Sequence, residues 1–227
     1  MTMFTQSVWL VAMRKVFTVI VMLCPMFVSV PSTEAALPPD TIAIEEALLD
    51  IGLPVGNVDG IWDRDTGRAT CAWRELTGRT IQRSWPVVAE RRVIKRREDL
   101  QPPTYLRNGL NINVQCQTAV WMVDSTIVAV MPVSTGMSSF PTEPGKHRVR
   151  WVVNRWWQST IYPDGLMYRP MFFYNGMALH GSSTDELVKW YPASHGCVRM
   201  LHADIDALWA GGFSVGDTVF IYGEWLG

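Results

Sequence analysis

Chemistry-bearing residues concentrate in Ser194-His195-Gly196-Cys197-Val198-Arg199-Met200, with His180-Gly181 a little upstream. A thiol beside a glycine, with one imidazole two residues before it and a second from a separate strand, has the parts of a covalent acyl-transfer site. A free thiol, with a pKa of about 8.5, is mostly protonated at neutral pH, so it attacks a carbonyl usefully only where a base or positive charge supports the thiolate. Histidine can take that proton and later return it to a leaving amine, and both His180 and His195 are candidates. Gly196 lacks a Cβ, which lets the backbone turn sharply before Cys197 and aim N–H groups at a developing oxyanion. Two other readings compete. Taken singly, a cysteine is usually a small buried hydrophobe or half of a disulfide, and a histidine a satisfied core residue. As a set, His180, His195 and Cys197 could hold zinc, although no paired CxxC or HExxH accompanies them.

The elements that must position these residues are mostly strands. From Asn111 onward, "NINVQCQTAVWMV", "STIVAVMPVSTG", "KHRVRWVVNRWW" and "DTVFIYGEW" are rich in Val, Ile and Trp and are separated by Gly, Pro, Ser and Asp turns. Gln117, Ala119, Trp121 and Val123 alternate with Thr118, Val120 and Met122, which predicts a half-buried strand. "HADIDALWAGG" predicts one helix after the reactive loop, stopped at Gly211. Before the strands the pattern is helical. Ile44, Ala47, Leu48 and Ile51 recur at three- and four-residue spacing, with Thr41 as N-cap and Gly52 as stop; turn chemistry at Asn57-Val58-Asp59-Gly60 precedes a second helix starting near Asp65 or Thr66. A basic run, Arg91, Arg92, Lys95, Arg96 and Arg97, reads as a solvated helix face or a contact for an anionic polymer. Pro102-Pro103 ends the connecting segment. The expected fold class is α+β, a mainly-β sandwich-like domain preceded by a small helical one.

"ALHGSS" followed by "SHGCVRM" resembles the signature of the L,D-transpeptidase catalytic domain family (YkuD-like), supported by "VMPVSTG", by the Pro-Gly turn in "TEPGKHRV" and by "MYRPMFFYNGMALHG". Two departures stand out: thirteen residues separate His180 from Ser194, about one fewer than the family pattern, and Arg199 replaces a frequent asparagine. Residues 37–82, through Asp59-Gly60-Ile61-Trp62-Asp63 and Thr66, resemble a small helical peptidoglycan-binding domain; Asp59 and Gly60 are equally readable as plain turn residues. The resemblance implies residues 83–104 as a connector and 105–227 as the catalytic domain. It also implies a Cys197 thioester formed with a peptidoglycan stem peptide, release of D-alanine, and transfer to an amine of another stem. His180 is then the preferred base, with His195 orienting the site and the roles exchangeable. Backbone N–H groups at Gly196 and Cys197 bind the oxyanion, while Ser194, Arg199 and Gly181 hold the loop or a substrate carboxylate. The resemblance places Tyr168 and Met171 nearest the substrate. Transfer to water, or wall binding without catalysis, are the alternatives. No metal or organic cofactor is needed, and a monomer is expected.

Residues 1–36 read as a cleaved secretory signal: Arg14-Lys15, then "VFTVIVMLCPMFVSV", then small residues to Ala35-Ala36. The apolar run contains Pro25 and falls short of the roughly 20 residues of a spanning helix, so no membrane span is expected after cleavage. Export to the cell wall or periplasmic space leaves Cys71, Cys116 and Cys197. If Cys197 stays free to react, Cys71 pairs with Cys116; two buried, unpaired thiols are the alternative. A formal net charge of −1 argues against nucleic acid as a partner.

Overall fold

Glu45, a carboxylate with no exposure on the first helix, organises the N-terminal part of the chain. The computed structural model describes residues 40–226 except 98 and 164; the expected signal peptide lies outside the described residues. Helix α1 spans Thr41–Asp50, α2 Arg64–Leu76 and α3 Val88–Ile94. Thr41 is already helical and Asp40 takes the cap position, one residue earlier than the spacing predicts. Glu45 accepts the N–H groups of Gly60 at 2.9 Å and Asp59 at 3.2 Å, and the Thr66 hydroxyl at 3.0 Å. These bonds account for Asp59-Gly60 and Thr66 in structural terms, because they lock the turn onto α1. At Gly60 φ is +79°, and a Cβ would lie 2.9 Å from Ile42 Cγ1, so only glycine fits without strain. Asp63 caps α2 by accepting from the N–H groups of Asp65 and Thr66, an arrangement worth about 1 kcal/mol. The basic run is largely used at home: Lys95 and Arg91 pair with Asp40, and Arg97 with Asp50.

Ten strands follow among the described residues: β1 Gly109–Asn113, β2 Thr118–Val123, β3 Thr126–Ser134, β4 Gly145–Arg148, β5 Trp151–Val152, β6 Trp156–Gln158, β7 Leu166–Tyr174, β8 Met177–Gly181, β9 Val198–Met200 and β10 Thr218–Tyr222. Helix α4, His202–Ala210, ends at Gly211 as its pattern predicts. The strands join in the order β4-β10-β1-β2-β3-β9-β8-β7-β5, with β6 on β7. Pairing is antiparallel except at β1–β10 and β8–β9, which makes the sheet mixed. The sheet curls so that Leu110, Ile112, Val219 and Ile221 meet Met171, Phe173, Leu179 and Val198 across one core, giving the expected sandwich-like α+β architecture.

The stretch 111–123 forms a hairpin instead of a single strand. Asn113 Oδ1 accepts from Gln115 N and Cys116 N, Gln117 takes φ +56°, and a disulfide joins Cys116 to Cys71 on α2. Strand β2 is buried on both faces, not one. Ala119 and Trp121 point into the sandwich core, while Val120 and Met122 join Ile44, Leu48, Trp73 and Leu76 in a second core beneath the helices. Removing the helices would forfeit about 1.5–3 kcal/mol for each such large side chain returned to water. Glu75 on α2 strengthens the same junction, accepting from the hydroxyls of Tyr222 at 2.7 Å and Tyr105 at 2.8 Å and from Asn113 Nδ2 at 2.9 Å. Burial and the Glu75 charge together push both phenols above their usual range. No helix among the described residues is long and apolar enough to cross a membrane.

Candidate active site

Strands β8 and β9 run parallel with His180 opposite Arg199 and Leu179 opposite Val198. Side chains alternate across a strand, so Leu179, Val198 and Met200 enter the main core while Ala178, His180, Cys197 and Arg199 share the opposite face. On that face Cys197 packs beside Met167, Phe172 and Ala178. It is the only free cysteine among the described residues.

The ring of His180 is buried, and its Nδ1 lies 2.8 Å from the carbonyl of Gly181. A carbonyl only accepts, so Nδ1 donates and Nε2 keeps its lone pair. Burial holds the imidazole down to about 4, opposed by the Gly181 bond and reinforced by the Arg199 charge. The Cys197 thiol is pushed up by burial, against the pull of the Ala178 N–H and Arg199. At rest the pair is therefore a neutral thiol and a neutral imidazole. Burial also depresses the Arg199 guanidinium, which makes a long hydrogen bond, 3.5 Å, to the carbonyl of Leu187.

A cradle of hydrogen bonds shapes the loop before Cys197. Ser194 is fully buried; its Oγ donates to the Cys197 carbonyl at 2.5 Å and accepts from Gly196 N at 3.1 Å. Thr135 O accepts from the N–H groups of Ala193 and Ser194, and Ser134 Oγ donates to Tyr191 O. Gln117 fixes Thr135 in turn, accepting from its N–H at 2.8 Å and donating to its hydroxyl at 2.7 Å. A Cβ on Gly136 would sit against Phe140 O and 2.9 Å from Gly196 Cα, so "STG" is the floor on which the reactive loop rests. At Gly196 φ is +105°, and a Cβ would meet Met177 Cε at 3.0 Å. The Gly196 N–H is already engaged with Ser194, so of the two backbone donors expected to face an oxyanion only that of Cys197 remains.

A cleft of about 400 Å³ opens over this face, lined by His180, Cys197, Arg199, Ser194 and His195. His195 stands exposed at the rim, stacked on Tyr162 at 4.7 Å and beside Phe140 at 5.1 Å. Gly181 lies just below; a Cβ there would come 2.5 Å from Cδ2 of His202, whose Nε2 meets Ser182 O and whose Nδ1 meets Asp185.

Tyr168 and Met171 do not line the cleft, contrary to expectation. Met171 is buried in the main core, and the Tyr168 hydroxyl donates to Asp206. The cause is a break in strand alternation: Arg169 takes φ +47° and the β7–β8 register shifts between Tyr168 and Met171. Met167 and Leu166 face the cleft instead, with Ile161, Tyr162, Met177 and Leu187. Tyr162 is the only Phe, Trp or Tyr among the described residues that lines this cleft. Residues 159–167 carry no periodic pattern that would have revealed them, and the buried amide of Gln117 was hidden inside what read as an ordinary strand. No group of three or more His, Cys, Asp or Glu side chains among the described residues is arranged to hold a metal.

Known proteins share this architecture. A crystal structure of an L,D-transpeptidase (residues 123–326) from Xylanimonas cellulosilytica is 26% identical with TM-score 0.59, over 82% of this chain and 94% of that one. An L,D-transpeptidase from Stackebrandtia nassauensis shares the fold at 20% identity and TM-score 0.53, over 83% and 93%. No curated protein matches at a significant level. The profile of the YkuD family, described as the L,D-transpeptidase catalytic domain, matches residues 108–221. That span is half of the chain and holds β1 to β9, the reactive loop and the cleft, so the protein belongs to the L,D-transpeptidase catalytic domain family.

Proposed function

We propose that the protein is a peptidoglycan L,D-transpeptidase with Cys197 as nucleophile and His180 as general base. The observation that carries this is the shared cleft face of Cys197 and His180, with the His180 tautomer set by Gly181 O. As Cys197 Sγ attacks the carbonyl joining an L-centre to a terminal D-alanine, its proton passes to His180 Nε2 and the carbonyl oxygen becomes an oxyanion. The Cys197 N–H is the donor beside it, and the Arg199 charge supports the growing negative charge. Collapse breaks the amide bond, His180 protonates the departing amine, and a thioester remains. An amine of a neighbouring stem then attacks, His180 takes its proton and returns it to the sulfur, and a 3→3 cross-link forms. Arg199, with no acidic partner among the described residues, suits a stem carboxylate. His195 and Tyr162 form a wall for the substrate at the cleft mouth.

Residues 1–36 act in this reading as a cleaved export signal, 37–82 as a wall-binding module, 83–104 as a connector and 105–227 as the catalytic part. Incubation with a carbapenem should add one adduct to the intact mass of the protein and none to Cys197→Ala, whereas an undiminished adduct on the variant overturns the nucleophile. Digestion of purified disaccharide tetrapeptides then separates acceptors: cross-linked dimer supports amine transfer, and tripeptide without dimer supports transfer to water.

A further inference from the structure

A second cavity, about 740 Å³, lies between Trp62, Arg64 and Gly67 on the helical side, Arg83 on the connector and Trp190 on the segment leading to the reactive loop. It shares no lining residue with the cleft over Cys197. Two acids border it and both are committed, since Asp63 caps α2 and Asp65 pairs with Arg68 at 3.1 Å. The guanidiniums of Arg64 and Arg83 have no carboxylate partner among the described residues. Arg64 Cζ lies over the Trp190 ring, 3.7 Å from its centroid. Arg83 donates through Nη2 to Trp190 O at 2.6 Å and Cys116 O at 3.1 Å, while its Nε is buried without a partner. Burial, followed by repulsion from Arg68 and Arg64, brings Arg83 down to about 10. Gathered guanidiniums with an unspent donor, walled by two indoles, repel one another until an anion is supplied.

We propose that this cavity is a second binding site, taking a carboxylate-bearing peptidoglycan fragment through Arg64 and Arg83 between Trp62 and Trp190. The choice of fragment rests on the function proposed above, which places stem-peptide carboxylates around the protein. A planar guanidinium fork matches a carboxylate, and indole faces match the apolar or ring surface beside it. The site also reaches the chemistry. Arg83 holds Trp190 O, Tyr191 O accepts from Ser134, and the N–H groups of Ala193 and Ser194 rest on Thr135, so the ligand contacts a hydrogen-bonded run that ends at the reactive loop.

The test is calorimetric titration of a disaccharide tetrapeptide into full-chain Cys197→Ala protein, which cannot turn the ligand over. A binding event that Arg64→Gln weakens by at least about tenfold, and that amidation of the ligand carboxylates weakens equally, is the expected result. Arg64 is exposed and bonds no backbone, so its variant should unfold at the parent temperature. Arg83→Gln should weaken the same event, and its unfolding temperature is measured alongside. Binding that neither variant alters overturns the proposal. So does a site that takes inorganic phosphate but not the tetrapeptide. Carbapenem acylation of the unmutated protein separates the two readings. An adduct without the Arg64-dependent event sinks only this site, and the event without an adduct sinks only the catalytic assignment.

Discussion

Replacing Ser194 by alanine removes one buried oxygen and orphans two backbone groups, the Gly196 N–H and the Cys197 carbonyl, held at 3.1 and 2.5 Å. Neither has room to turn to water, because Ser194 is only 1% exposed. An unsatisfied buried group costs about 1–3 kcal/mol, so the variant should lose about 2–4 kcal/mol. For a chain of this size each kcal/mol moves the unfolding midpoint by about 2–4 °C, which gives a fall of roughly 5–15 °C. The loop that carries Cys197, the proposed nucleophile, should also relax by a fraction of an ångström, and misplacement of a reacting atom by about 1 Å costs roughly a hundredfold in rate. Stopped-flow acylation by a carbapenem, read below the unfolding transition, isolates that second effect from loss of fold. Ser194→Thr keeps the hydroxyl and should recover most of the rate. Wild-type acylation and an unchanged midpoint in Ser194→Ala would refute the cradle argument.

Other consequences follow from the two groups whose titration the fold shifts furthest within the ordinary pH range. His180 is held at about 4 against the ordinary histidine value of 6.5, so the unfolded chain binds the extra proton first and stability falls as pH drops from about 6.5 through 4. The loss should reach about 3 kcal/mol at 1.36 kcal/mol per unit, and a pH series of denaturant midpoints should show a shallower slope in His180→Asn. Acylation of the unmutated, folded protein should fade only as pH falls through about 4, where His180 Nε2 becomes protonated. Asp204 carries the opposite sign. Burial, then the nearby Asp185 charge, raises it from 3.8 to about 6, so its folded form keeps a proton that is lost as pH rises through 6. Asp204→Asn should therefore raise the unfolding temperature at pH 7.5 and leave it unchanged near pH 4, and a destabilised variant at pH 7.5 would contradict the assignment.

Local patterns carried well wherever the physics was local. α4 and its stop at Gly211, the two N-terminal helices and most strands were legible because periodicity and turn residues act over a few positions. Strands β7 to β9 were not read from pattern: β9 has only three residues, and β7 breaks its own alternation at Arg169, which turned Tyr168 and Met171 away from the cleft. The double burial of β2 was hidden too, since alternation reports one wet face and the helices cover it.

Taken alone, the sequence determined the candidate set: "SHGC" and "LHG" name a thiol and two imidazoles, and short-range chemistry needs nothing more to suggest acyl transfer. Only the tertiary structure distinguished the histidines. The parallel β8–β9 register put His180 on the face of Cys197 and fixed its tautomer on Gly181 O, while His195 was left stacked on Tyr162 at the rim. The cavity at Arg64, Arg83 and Trp190 was likewise beyond reach of the sequence, because it joins residues separated by 107 positions along the chain. Such distances close only when two cores form and bury the surfaces that bring them together, and that burial depends on every element at once.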